Sequence, residues 1–152
     1  MPRKIELTDI PQHTRVVAGI LHNAKRQVLI TDRAQADSMQ DLWEFPGGKI
    51  EHGESARAAL TRELKEELGI SQLEFEHFQN IEHDYLNFRV SIDFFVVSCW
   101  HGTPAGSEGQ QLRWVDQDEL VAEILLPADA PVLNALWERL ASTQIGSAAV
   151  DI

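Results

Sequence analysis

Apolar residues cluster at Val16, Val17, Ala18, Ile20 and Leu21, and again at Val28, Leu29 and Ile30, with Asn23-Ala24-Lys25 between the two runs. Two β-rich runs across a short polar break predict a hairpin. Residues 73–85 and 88–100 predict two long strands. In the second, Val90, Ile92, Phe94 and Val96 alternate with Ser91, Asp93, Phe95 and Val97. Both sets are partly apolar, so a sheet covered on both faces is expected. Residues 112–115 predict a short strand, and residues 116–120 begin a helical turn.

Residues 55–68 predict a helix: Ser55 is placed to cap it, Ala and Leu fill its interior, and Gly69-Ile70 supplies a Schellman-type stop. A second amphipathic helix is expected over residues 131–140, where Leu133, Leu136, Trp137 and Leu140 recur at helical spacing behind Pro131. Residues 32–41 and 102–109 read as loops, and Pro46-Gly47-Gly48 as a tight functional turn. No repeat or linker interrupts the chain. A single domain with its core at about residues 14–141 is expected, with a frayed tail over residues 142–152.

A length of 152 residues, 43% hydrophobic and 24% charged, suits one soluble globular domain. The formal net charge of −11 argues against duplex nucleic acid and anionic membranes as partners. Taken alone it also argues against a polyphosphate ligand. Cys99 is the only cysteine, so neither an intramolecular disulfide nor a thiolate metal cluster can form. It is expected in the core at a strand end. The N-terminus lacks an apolar signal stretch, and a cytoplasmic location is expected. The six histidines show no i, i+4 helical pair, so zinc is not expected. The four tryptophans read as core or cleft-wall residues, since no basic groove accompanies them.

Within the first helix, Glu63, Glu66 and Glu67 stand at i, i+3 and i+4 and share an arc of roughly 100°. Leu60, Leu64 and Leu68 occupy the adjacent arc, so the acids border the buried stripe. Three like charges so placed are either solvated or shared by a hard cation, for which oxygen ligands suit Mg²⁺ or Mn²⁺.

The surrounding residues extend the pattern to Gly48-x5-Glu54-x7-Arg62-Glu63-Leu64-x-Glu66-Glu67-x-Gly69-Ile70. This resembles the signature of the Nudix hydrolases. Trp43-Glu44-Phe45-Pro46-Gly47-Gly48-Lys49, Ile30-Thr31-Asp32-Arg33 and Leu126-Pro127-Ala128-Asp129-Ala130-Pro131 resemble the MutT-type members, which are 8-oxo-dGTP diphosphatases. The resemblance implies an α/β fold, an α/β/α sandwich with a mixed sheet and a loop-helix-loop catalytic module. It implies metal ligation by Glu63, Glu66, Glu67 and the Gly47 carbonyl, with Mg²⁺ or Mn²⁺ as cofactor. Glu54, Arg62 and Gly69 would be structural, Arg62 pairing with Glu54 or Glu66. Water would attack the β-phosphorus of a nucleoside triphosphate, releasing nucleoside monophosphate and pyrophosphate. Glu63 is the candidate general base. Glu108, in the Ser107-Glu108-Gly109 loop, is its competitor and a further candidate ligand. Two Mg²⁺ ions would offset about four of the acidic charges, which answers the objection raised by net charge.

By the same resemblance, Arg33, Phe45, Tyr85, Ile92 and residue 129 form the base pocket. Gly48 is a further candidate for substrate contact, and Lys49, just after the glycines, either meets a phosphate or is simply solvated. MutT-type enzymes carry an amide at the last pocket position, where this chain has Asp129. An ionised carboxylate accepts the N7-H of 8-oxoguanine but repels O6, unless burial protonates it. Asp129 also has the option of capping the helix at Pro131. Aspartate here is shared with relatives that hydrolyse CTP or modified-pyrimidine triphosphates, which makes those the alternative substrates. A non-catalytic nucleotide-binding module is the second class of function, disfavoured because every box glutamate is present. The expected partner is a small nucleotide, with neither nucleic acid nor membrane, and the expected state is a monomer or homodimer.

Overall fold

The computed structural model describes residues 12–150, with side-chain surroundings for residues 13–142. The N-terminal reading and the last two residues of the expected tail lie outside that range. The described strands form two sheets. In the larger, β1 (Gln12–Leu21) runs parallel to β6 (Phe88–His101) and antiparallel to β4 (Gly47–Lys49). The 14-residue β5 (Ser71–Asp84) pairs antiparallel with β6 and closes the order β4-β1-β6-β5. The smaller sheet has the order β3-β2-β7, from Trp43–Glu44, Val28–Asp32 and Leu112–Val115, all antiparallel.

Each face of this β layer carries one helix. Val17, Leu21, Leu29, Phe95 and Val97 pack with Leu60, Leu64 and Leu68 of α1 (Ala56–Leu68). Ala18, Ile20, Val28, Ile30, Ile92 and Phe94 pack with Leu136 and Leu140 of α2 (Leu133–Val150). The double-sided alternation in β6 therefore reflects two cores, one per face. This is a mixed α/β sandwich. Fully burying one such leucine or isoleucine stabilises the fold by about 1.5–3 kcal/mol, and a Leu→Ala change in these clusters costs about 2–5 kcal/mol.

Three departures from the sequence reading have physical causes. The strands flanking Asn23 do not form a hairpin; they enter different sheets, coupled by an isolated His22–Val28 bridge. The turn itself is as expected: Asn23 Oδ1 accepts from the amides of Lys25 and Gln27, both at 3.0 Å. The edges of β1 are already taken by β4 and β6, so β2 finds its partners elsewhere. Second, Gly47 and Gly48 lie within β4, not in a turn, and neither has positive φ. Third, Cys99 is exposed. It lies past Val97, the last fully covered residue of β6, where bulges shift the pairing with β5.

The second helix begins as a 3₁₀ turn over Ala130–Val132, and its α-helical part runs to Val150, where a frayed tail is expected from sequence. Ala141, Ala148 and Ala149 favour that continuation. No helix among the described residues is long and apolar enough to cross a membrane.

Candidate active site

The placement of α1 follows from its ends and one glycine. Ser55 has extended backbone and its hydroxyl accepts from the Ala58 amide at 3.1 Å, while Gly69, at φ 74°, takes the left-handed conformation that ends the helix. Beneath the helix, a Cβ on Gly19 would approach Leu64 Cδ1 to 3.1 Å and Leu60 Cδ1 to 3.3 Å. The absence of that atom lets α1 lie close on β1. Its acidic edge then faces β4.

That closeness explains the glycine pair. A Cβ on Gly48 would run into the Glu63 carboxylate, and one on Gly47 into the backbone carbonyl of Val17. Both glycines serve close approach, which no local turn signal reveals.

Arg62 organises the carboxylates. Its Nε and Nη2 donate to the two oxygens of Glu54 at 2.7 and 3.0 Å, Nη1 to Glu63 Oε2 at 2.8 Å and to Glu66 Oε1 at 3.3 Å, and Nη2 also to the Lys49 carbonyl at 3.0 Å. Glu54 is thereby clasped on the scaffold, and its carboxyl is held down to about 2, chiefly by the Arg62 bonds. The fork geometry of a guanidinium suits this bidentate role; a lysine could not reproduce it.

Glu63 and Glu67 are drawn inward, whereas Glu66 stays exposed. Burial raises the Glu63 carboxyl, with Arg62 opposing and the charges of Glu66 and Glu108 adding to the rise. Glu67 is pushed up to about 8, first by burial and then by the charges of Glu44, Glu108 and Glu63. Its Oε1 is buried without a hydrogen-bond partner. Glu108 is exposed in the loop between β6 and β7. That loop is tied to the end of α1 by Ser107 N and Gln110 Nε2, which both donate to the Glu67 carbonyl, at 3.1 and 3.0 Å.

An orphaned buried carboxylate oxygen among like charges is what a cation would relieve, and the oxygen-only donor set suits a hard divalent ion. Among the described residues no three His, Cys, Asp or Glu side chains already stand as a metal cage. Glu63 is engaged with Arg62 instead. The donors therefore fit a divalent cation by chemistry and position, with the glutamates still to converge on it.

Next to this edge lies a cavity of about 690 Å³. Every residue expected from sequence to meet substrate lines it: Arg33, Phe45, Gly48, Lys49, Tyr85, Ile92 and Asp129. Asp129 is buried, and its Oδ2 accepts from the Phe45 amide at 3.0 Å. It makes no side-chain capping bond to the turn that follows, so the capping option is not used. Burial, reinforced by the charge of Glu44, pushes its carboxyl to about 7 against the pull of the Phe45 amide and Arg33. Tyr85 Oη accepts from the Ala128 amide at 3.2 Å, tying the β5–β6 hairpin to the turn that carries Asp129.

Glu44 is the residue that the sequence reading passed over. Its Oε1 accepts from Arg33 Nη1 at 2.9 Å, and its charge raises both Glu67 and Asp129, so it stands between the carboxylate edge and the cavity floor. Burial raises its own carboxyl. An acid between two aromatics in Trp43-Glu44-Phe45 was the available signal. Met39, Asn87 and Phe88 also line the cavity.

Buried carboxylates suited to a hard cation, on a helix beside a cavity of nucleotide size, define a class: a metal-assisted hydrolase of phosphoric anhydrides. The chain belongs to the NUDIX family, whose domain model matches residues 12–136. It is 38% identical over 122 residues to an 8-oxo-dGTP diphosphatase of Escherichia coli K12, covering 80% of this chain and 95% of that protein. It is also 38% identical over 120 residues to a CTP pyrophosphohydrolase of the same organism, covering 79% and 88%. A solved structure of MutT, from Aliivibrio salmonicida or Vibrio cholerae, superposes with a TM-score of 0.68 at 39% identity, covering 81% of this chain and 94% of the other. Enzymes of this family generally need a divalent metal.

Proposed function

We propose that this chain is a Mg²⁺-dependent nucleoside triphosphate pyrophosphohydrolase whose preferred substrate is 8-oxo-dGTP, converted to 8-oxo-dGMP and pyrophosphate. Such an activity removes a mutagenic precursor from the nucleotide pool. The observation that carries the base assignment is Asp129, buried on the cavity wall with a carboxyl pushed up to about 7. Near neutral pH a large share of such carboxyls is protonated, and a protonated carboxyl both donates and accepts. It can therefore face O6 and N7-H of 8-oxoguanine together, as an amide would.

The division of labour follows from the cavity. Asp129, with the backbone of Phe45 beside it, orients the base. Lys49 and the backbone at Gly48 line the cavity and would meet the phosphates as these lead toward α1. Glu63, Glu66, Glu67, Glu108 and the Gly47 carbonyl are the residues that would hold the metal. A divalent cation, when bound, neutralises polyphosphate charge and activates the attacking water. Glu63, whose Oε2 accepts from Arg62 at 2.8 Å, would receive the proton of the water that attacks the β-phosphorus. Arg62 and Glu54 keep that carboxylate in position.

Two observations favour a second reading. The aspartate at 129 and the CTP pyrophosphohydrolase relative together point to CTP or a modified pyrimidine triphosphate. The ratio of kcat/KM for 8-oxo-dGTP to those for dGTP, CTP and 5-methyl-dCTP separates the two. The proposal expects 8-oxo-dGTP to lead; a lead for either pyrimidine would replace it.

A further inference from the structure

Three large apolar side chains are exposed among the described residues, and two of them, Leu86 at 97% and Phe88 at 38%, sit on the hairpin between β5 and β6. Leaving such surface in water forgoes about 25 cal/mol per Å² of burial, so a reason for it is worth seeking. The hairpin is well fixed. Tyr85 N donates to the Phe88 carbonyl at 2.8 Å, Arg89 Nε donates to Asp84 Oδ1 at 2.6 Å, and Tyr85 Oη holds the Ala128 amide. Phe88 lies on Tyr85 in a stacked arrangement, with ring centroids 5.2 Å apart and planes 28° apart. One face of the Phe88 ring is thus packed, and the ring is still more than a third exposed. Phe88 also lines the cavity, with Tyr85 and Asp129.

We propose that the free face of Phe88 receives the π-face of the substrate's nucleobase, making Phe88 a binding residue that favours a purine over a pyrimidine. The inference rests on the nucleotide reading above. Charge supports which part of a nucleotide comes here. Glu44 and Asp129 are the acids of this part of the cavity, with Arg33 already committed to Glu44 at 2.9 Å and to the Ser38 carbonyl at 3.0 Å. A polyphosphate would be repelled, while an uncharged ring with N–H donors would not. A flat ring on a pre-stacked pair of aromatics extends the stack at little entropic cost, because Tyr85 is anchored at its hydroxyl. A purine overlaps the phenyl ring more fully than a single-ring base does.

The test compares wild type with Phe88→Ala, Phe88→Leu and Phe88→Trp. KM and kcat are measured for 8-oxo-dGTP with Mg²⁺, the Kd of 8-oxo-dGMP is measured by calorimetry, and thermal unfolding reports on the fold. Phe88→Ala should raise both KM and the product Kd by about tenfold, the range expected for loss of one base–aromatic stack, with a smaller change in kcat and a Tm lowered only by the loss of the Tyr85 pair, as in Phe88→Leu. Phe88→Trp should bind as wild type does, and Phe88→Leu should resemble Phe88→Ala. Wild-type KM and Kd in Phe88→Ala would overturn the inference while leaving the nucleotide reading intact. Full rescue by leucine would also overturn it, because apolar cover would then suffice. A wild-type protein that turns over no nucleotide overturns the functional reading, and this inference with it.

Discussion

The carboxylate of Glu63 occupies the space in which a side chain on Gly48 would begin, both of its oxygens lying 2.5 Å from that position. Helix α1 and strand β4 are therefore coupled through an atom that is missing. Because the obstacle is the far end of a flexible side chain, Gly48→Ala should leave Tm nearly unchanged and instead turn Glu63 away from its place beside Arg62. A displacement of about 1 Å at a catalytic group can cost on the order of 10²-fold, and kcat should fall by about that much. Gly47→Ala should behave oppositely. Its Cβ meets the Val17 backbone, which cannot swing aside, so unfolding should shift downward before activity is even considered.

Glu63 is the proposed general base, and Glu108 is its competitor for that role. Glu63 is the more confined, with a side chain 18% exposed and clasped by Arg62, whereas Glu108 is exposed on a loop. Glu63→Gln should lower kcat by roughly 10²–10⁴-fold, the usual span for a lost general base, with the fold intact by circular dichroism. Glu108→Gln should cost less. Single-turnover rates of the two variants decide the assignment, and near-wild-type turnover in Glu63→Gln would remove it.

Much of this arrangement was legible in the sequence, and the reasons differ by element. Helix α1 announced itself because its cap at Ser55, its Leu60, Leu64 and Leu68 stripe and its stop at Gly69 are all local signals. The alternation in β6 likewise told of two covered faces. The pairing of β1 and β2 was misread because continuous apolar runs buried on both faces carry no register cue. The role of the Gly47-Gly48 pair depends on Val17 and Glu63, residues apart in sequence, so a turn was the natural local reading. Glu44 escaped notice for the same reason: what matters is that β3 sets it between Glu67 and Asp129. The direction of Asp129, toward the Phe45 amide and away from the following helix, is also a tertiary fact.

The ionisation of Asp129 predicts a pH signature. Burial pushes its folded-state carboxyl up to about 7, well above the ordinary aspartate value of about 3.9. A raised carboxyl favours folding while protonated, so this contribution is complete below the unfolded value and is lost as pH rises through about 7. Asp129→Asn keeps an oxygen to accept from the Phe45 amide but cannot ionise. Between pH 5 and pH 8 the wild type should lose several degrees of Tm, roughly the effect of a few kcal/mol, relative to Asp129→Asn. The preference for 8-oxo-dGTP should weaken over the same interval in wild type and hold steady in the variant. Parallel thermal-melt and kcat/KM profiles check both.

The glutamates beside Gly47 and Gly48 are proposed to serve a divalent cation in pyrophosphate release. The most direct measurement is hydrolysis of 8-oxo-dGTP in ¹⁸O-labelled water, with Mg²⁺ and with excess chelator, the products being separated and weighed by mass spectrometry. The account predicts 8-oxo-dGMP and pyrophosphate only when Mg²⁺ is present, with the label in the pyrophosphate, as attack at the β-phosphorus requires. Turnover that persists in chelator, or release of orthophosphate as the first product, would contradict it.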